Sequence, residues 1–207
     1  MPRTALDRFE QRKLTRQKLI DAAQQLFSTS GYEHATVDDI SQAAGYSKGA
    51  YYFHFSTKDD ILLELLRLWT ESRSATLAGA SDGVVTRDAL RETLAGFFSY
   101  TDAPQWPGVL LEFWAQGVRS TEVNKRLTQA YAGWRKQLGD AFAAAADSGA
   151  LNVASADDAA SVALAAHDGF AVQTVIGGRT LTALELADSM LTPIEESAAS
   201  DRTATAR

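Results

Sequence analysis

Cysteine is absent from the 207-residue chain, which excludes disulfides, cysteine metal sites and a cysteine nucleophile, and suits a reducing cytosol. Prolines number four. With polar segments between apolar-periodic stretches this short, the pattern predicts helices rather than a strand-rich sandwich. The three histidines, His34, His54 and His167, show no i,i+4 pairing, so no metal and no cofactor is expected. No continuous run of about 18 apolar residues occurs, and the first ten residues are polar rather than an apolar signal core. The expectation is a soluble, cytoplasmic protein without a membrane partner.

Net charge is -6, which on a uniform surface would repel a polyanionic duplex. The distribution is not uniform. Residues 1–58 carry Arg3, Arg8, Arg12, Lys13, Arg16, Lys18, Lys48 and Lys58 against Asp7, Glu10, Asp21, Glu33, Asp38 and Asp39, so this end is net basic and the remainder strongly acidic. A basic head on an acidic body lets one end alone approach phosphates.

Leu19, Ile20, Ala23, Leu26 and Phe27 recur at three- and four-residue steps and predict a first helix from about Arg12 to Ser28, closed by Gly31. Thr36, Val37, Asp38 and Asp39 read as a capping box opening a second helix that Gly45 ends. Ser47 can cap a third helix from Lys48 to about Phe53. Thr57 to Asp60 repeats the capping logic ahead of a long helix through Ile61, Leu62, Leu65, Leu66, Leu68 and Trp69. Further helices are expected over about 86–100, through Leu110 to Val118 after a break at Asp102 to Gly108, over 121–147, from a third capping box at Ser155 to Gly177, and over 180–196. Residues 79–83 read as a loop. The fold class expected is all-α, about nine helices, with 1–56 a helix-turn-helix DNA-binding domain, 57–196 a helical effector-binding and dimerisation domain, and 197–207 a flexible tail.

Short helices around a tight glycine turn suit a helix-turn-helix whose third helix enters the major groove. The run from Thr36 to Phe55, followed by Thr57, Lys58 and Asp59, closely resembles the DNA-binding domain of the TetR family of repressors, over about residues 12–65. The resemblance implies that Thr36 and Tyr52 contact phosphates, that Ser47, Lys48, Gly49 and Ala50 form the groove-facing start of the recognition helix, and that Lys58 touches the backbone. It follows that changing Lys58 should flatten the salt dependence of binding, while changing Ser47 or Ala50 should alter site preference. Free N–H groups at a helix N-terminus and a lysine charge suit phosphate on physical grounds as well. Tyr51 stands where a buried aliphatic is commoner and His54 where another aromatic is commoner, an ending that resembles some butyrolactone receptors of the same family. Either Tyr51 or Tyr52 is left to face DNA, His54 is a further candidate contact, and Phe53 and Phe55 are expected in the core.

Gly45 to Gly49 also satisfies the G-x-S-x-G spacing of a hydrolase nucleophile elbow at Ser47. That elbow needs a strand before the serine, and the residues upstream read as a capped helix. No catalytic residue is therefore expected.

From Trp69 onward the chain is rich in large rings. Trp69, Phe97, Phe98, Phe113, Trp114, Tyr131, Trp134 and Phe170, with His167 and Asp168 among the ionisable groups and Arg135 beside them, are the residues expected to line a small-molecule pocket. Leu110 to Ala115 and the Tyr131, Trp134, Arg135 spacing resemble betaine-repressor-type C-terminal domains, and the family resemblance implies an effector pocket in this half. The apolar helix through Val162 to Ile176 and the stripe after it resemble the family's dimer helices, with Ala165, Ala166, Gly169, Val172, Leu184, Ala187 and Leu191 as interface residues. The function expected is that of a repressor binding a palindromic operator as a homodimer and released by a small molecule that shifts the long helix from Thr57. The alternatives are an activator of the same build, a helical interaction protein with a non-functional head, and the serine hydrolase.

Overall fold

The computed structural model describes residues 5–78, 86–100, 104–177 and 181–192, with side chains from Phe9 onward. The expected loop at 79–83 and tail at 197–207 lie outside the described residues. Eight helices run α1 (Ala5–Ser30), α2 (Val37–Ala43), α3 (Lys48–His54), α4 (Lys58–Ala78), α5 (Arg87–Phe98), α6 (Trp106–Arg119), α7 (Thr121–Asp147) and α8 (Ala156–Ile176). A ninth, α9, covers 183–192, and no strand occurs among the described residues.

The helix starts follow the capping chemistry. Thr36 Oγ accepts from the Asp39 N–H at 3.1 Å while Asp39 Oδ2 accepts from the Thr36 N–H at 2.9 Å, a complete capping box. Thr57 and Asp60 reproduce it ahead of α4. A third such pair, Thr182 with Glu185, opens α9 and went unread in the sequence although its T-x-x-E spacing is the same. The break expected through Gly108 is shorter than the prolines suggested. Pro107 sits in the first turn of α6, where its missing N–H costs nothing, so the helix starts at Trp106.

Two compact units divide the chain, one of residues 1–68 with 103–126 and one of 69–102 with 127–207. In the first, Leu19, Ile20 and Phe27 of α1 are buried together with Ile40 of α2, Tyr51 of α3, Ile61 and Leu65 of α4, and Leu110 and Phe113 of α6. Each such side chain contributes roughly 1.5–3 kcal/mol on leaving water. α6 crosses α1 closely at Gly108, where an added Cβ would stand 3.0 Å from the Ser28 carbonyl oxygen.

In the second unit Trp69, Phe97, Phe98, Trp134, Leu138 and Phe142 form the core. Trp69 and Trp134 meet edge to face at 4.7 Å, the arrangement aromatic quadrupoles favour. Arg73 of α4 donates through Nη1 to the carbonyls of Phe97 and Ser99, both at 2.9 Å. It thereby satisfies the C-terminal end of α5 and neutralises its negative dipole pole.

Candidate nucleic-acid interface and a buried polar cluster

The turn between α2 and α3 is a Schellman closure. Gly45 takes φ +76°, its N–H bonds the Gln42 carbonyl at 3.0 Å, and the Tyr46 N–H bonds the Ser41 carbonyl at 2.9 Å. Ser47 then caps α3, its Oγ accepting from the Ala50 N–H at 3.3 Å. Ser47 therefore stands between two helices and not after a strand, which removes the nucleophile-elbow geometry.

Tyr51 and Phe55 anchor α3 from below. Tyr51 is fully buried, its hydroxyl donating to the Thr57 carbonyl at 2.9 Å, and burial pushes its phenol pKa upward. Tyr52 is the exposed member of the pair, at 54%, so the structure turns Tyr52 outward and Tyr51 inward. Ser47, Lys48 and Gly49 are exposed with it, and Ala50 and His54 are half-buried. Phe53 corrects the sequence reading. It is 63% exposed, because it lies two residues, about 200° of helix, beyond buried Tyr51, and the guanidinium of Arg12 covers its ring at 5.2 Å.

Several of the expected contact groups already hold partners. The Thr36 hydroxyl donates to Asp39 Oδ2 at 2.6 Å, and this bond, then the backbone one, lowers the Asp39 pKa. Lys48 pairs with Asp38 at 2.5 Å across the exposed surface, which raises the lysine pKa. Lys58 is engaged more deeply. Its ammonium donates to the carbonyls of Tyr32 at 2.6 Å, Ala35 at 3.0 Å and Glu33 at 3.4 Å, and lies 4.1 Å from the centre of the Tyr32 ring. Neighbouring Asp59 accepts from the Tyr32 hydroxyl. Lys58 is thus built into the turn before α2. At the other end of α3, the His54 pKa is lowered first by burial and then by Arg16 and Arg12.

The second unit brings together much of the expected pocket set. His167 is 1% exposed and is ringed by Trp69, Phe97, Phe98 and Tyr100 at 5.0 to 6.4 Å. Its Nδ1 lies 3.1 Å from Asp168 Oδ1 and its Nε2 2.8 Å from the Tyr100 hydroxyl. A carboxylate only accepts, so Nδ1 carries the proton and the Tyr100 hydroxyl donates to Nε2. Tyr131 completes the chain by donating to Asp168 Oδ1 at 2.8 Å. Burial lowers the His167 pKa against the opposing pull of Asp168, which keeps the ring neutral.

Tyr100 also stacks on Phe170 at 6.2 Å. The two rings border a cavity of about 250 Å³ that Ser99, Thr174, Leu181, Thr182 and Ala183 complete. Phe113 and Trp114 do not join this set; they belong to the first unit, Phe113 packing near Trp106 at 6.5 Å. Arg135 is exposed. Sequence reasoning missed Tyr100 and Arg73. A tyrosine at a helix end and an arginine in an amphipathic helix carry no local signal of burial.

α8 presents an apolar face to solvent through Val162, Val172, Val175 and Ile176, with Leu184 of α9. Ala165 is exposed and Ala166 and Gly169 half-exposed on the same helix. Ala187 and Leu191, expected at an interface, are instead wholly buried within their own unit, since α9 turns its best apolar stripe inward. By length and composition α8 would also suffice to cross a membrane. His167 and Asp168 near its middle are bonded to Tyr100 and Tyr131 instead, which makes it a helix of a folded unit. No cluster of three metal-binding side chains occurs among the described residues.

Comparison with known proteins bears on the whole arrangement. Residues 19–65 match the family described as bacterial regulatory proteins, tetR family, and residues 86–194 match the C-terminal domain of BetI-type transcriptional repressors. The HTH-type transcriptional regulator YwcC of Bacillus subtilis, itself uncharacterised, is 53% identical over 55 residues, 27% of this chain and 25% of that one. The HTH-type transcriptional repressor AcnR of Corynebacterium glutamicum is 33% identical over 98 residues, 47% of this chain and 48% of that one. The matched stretches therefore span half or less of these two relatives. Among solved structures, a transcriptional regulator from Saccharomonospora viridis in complex with choline superposes with TM-score 0.73 at 22% identity, covering 84% of this chain and 92% of that one. That likeness speaks for the fold.

Proposed function

The chain belongs to the tetR family of bacterial regulatory proteins, and from that premise we propose that it is a cytoplasmic transcriptional repressor that binds a palindromic operator as a homodimer and is released by a small molecule. The observation carrying this reading is the α2–Gly45–α3 bend. Tyr51 and Phe55 hold one side of α3 in the core while Ser47, Lys48, Gly49, Tyr52 and Phe53 stand outward, the arrangement a helix needs to meet base edges. In this reading the head is residues 1–56. Tyr52 and the N-terminal turn of α3 touch DNA, with Lys48 leaving Asp38 for a phosphate. Thr36 and Lys58 set the position of α2 and of the turn before it.

Effector binding is assigned to the second unit. The Tyr100, His167, Asp168 and Tyr131 chain, walled by aromatic rings and adjoining a cavity, offers an apolar site with a few polar groups. α4 belongs to the first unit up to Leu68 and to the second from Trp69, so a displaced Trp69 is the proposed start of release. The choline-bound relative makes choline the first effector to try.

Selection of bound sequences from a pool of random duplexes tests the DNA-binding step. A two-fold symmetric consensus is expected; failure to enrich any sequence, together with no binding to duplex DNA at low salt, overturns the reading. A small molecule that raises the melting temperature at saturation yet leaves operator affinity unchanged overturns the release step.

A further inference from the structure

α1 is longer than the helix-turn-helix requires. It begins at Ala5, whereas the family match begins at residue 19, and its first turns carry cations at Arg12, Lys13 and Arg16. These cations differ in what they already hold. Arg16 bridges Glu64 at 2.8 Å and lies over the Phe55 ring, so its charge is compensated inside the unit. Lys13 lies over Phe9. Arg12 is exposed, makes no carboxylate bridge among the described residues, and rests on Phe53 at 5.2 Å.

Phe53 fixes where that charge sits. Gly49 and Phe53 are one helical turn apart on the side of α3 opposite Tyr51 and Phe55, the side that must face a groove if α3 enters one. A guanidinium lying over a ring still has N–H donors to offer outward, and those donors match the fork of a phosphate. The stacking also orders a long side chain in advance of binding. After burial, Arg16 and then Arg12 lower the His54 pKa, in keeping with the cations that gather at this end of α3.

We propose that Arg12, seated on the exposed ring of Phe53, clamps a backbone phosphate at the rim of the groove that α3 enters, extending the DNA-contact surface from α3 onto α1. The inference rests on the DNA-binding reading above and adds to it a contact outside the family match. Phe53 is the positioning residue and Arg12 the one that touches DNA.

The test uses the full-length protein with two duplexes, one recovered from the random pool by the wild type and one of unrelated sequence. Affinity is measured across a salt series for wild type, Arg12→Gln and Arg12→Lys. One lost phosphate contact lowers the slope of log K against log salt by about 0.9, or about fivefold in affinity near 0.15 M salt. Arg12→Gln is expected to show that loss on both duplexes with an unchanged melting temperature, while Arg12→Lys keeps the slope. Ethylation interference on the recovered duplex is expected to lose one phosphate per half-site in Arg12→Gln. A slope equal to wild type in Arg12→Gln, or an interference pattern with every phosphate retained, overturns the proposal while leaving DNA binding intact. Wild-type protein that binds neither duplex removes the reading on which it rests.

Discussion

Lys58 has three donors, and the carbonyls of Tyr32, Glu33 and Ala35 receive them. A lysine held this way stabilises the turn that aims α2, and it can reach a phosphate only by giving up those bonds. Lys58→Met should therefore lower stability by about 1–3 kcal/mol with little change in the salt slope of DNA binding. A melting curve equal to wild type and a slope reduced by about 0.9 would instead make Lys58 a phosphate contact. The second residue-scale prediction concerns His167. Burial lowers its folded pKa below the ordinary value of about 6.5, so the unfolded chain binds a proton there that the folded chain refuses. The stability this neutral ring preserves is present above the unfolded value and is lost as pH falls from there towards the lower folded pKa. Tyr100, Asp168, Tyr131 and Arg73 are the titratable groups around it. Between pH 8 and 5.5, wild-type melting temperature should drop more steeply than that of His167→Gln; parallel curves would show that the ring titrates freely.

At the scale of elements, Gly45 isolates a backbone effect from a packing one. Nothing lies within 4 Å of a Cβ added there, yet φ is +76°, so substitution costs only the left-handed conformation. Gly45→Ala should cost about 1–2 kcal/mol and Gly45→Asn less, since asparagine enters that region more readily. Urea unfolding of the pair checks the order, and an equal cost for both would place the penalty elsewhere. The same bend explains what the sequence could reveal. A threonine with an acidic residue three positions on, or a glycine after the last apolar residue, acts within one helical turn, so Thr36, Gly45, Thr57 and Ser155 were legible from spacing alone. Phe53 was misread because an aromatic beside two core aromatics looks like core, while helical rotation alone decides its side. The Tyr100 to His167 bond was illegible for a different reason. It joins residues 67 positions apart, and only the packing of α5 against α8 brings them together.

For the molecule as a whole, the question is what covers α8. Val162, Ala165, Gly169, Val172 and Ile176 fall on one side of that helix at steps of three and four, and the large ones among them face solvent. Ile176 is 72% exposed, an arrangement a lone subunit gains nothing from. A two-fold pairing of this face would bury each residue against its symmetry mate or a near neighbour, and the small residues at 165 and 169 would let the two helices approach. In the proposed function, operator binding by two heads would depend on that pairing, because one recognition helix alone meets only one half-site. Val172→Glu places two carboxylates near the axis, where they would be desolvated and mutually repelling, without touching the core of either unit. Sedimentation at micromolar concentration should show wild-type dimers and Val172→Glu monomers, with an unchanged helical circular dichroism signal. Affinity for a two-half-site duplex should fall at least tenfold while affinity for a single half-site stays the same. A Val172→Glu protein that still sediments as a dimer would place the subunit contact on another surface and leave the apolar face of α8 to a different partner.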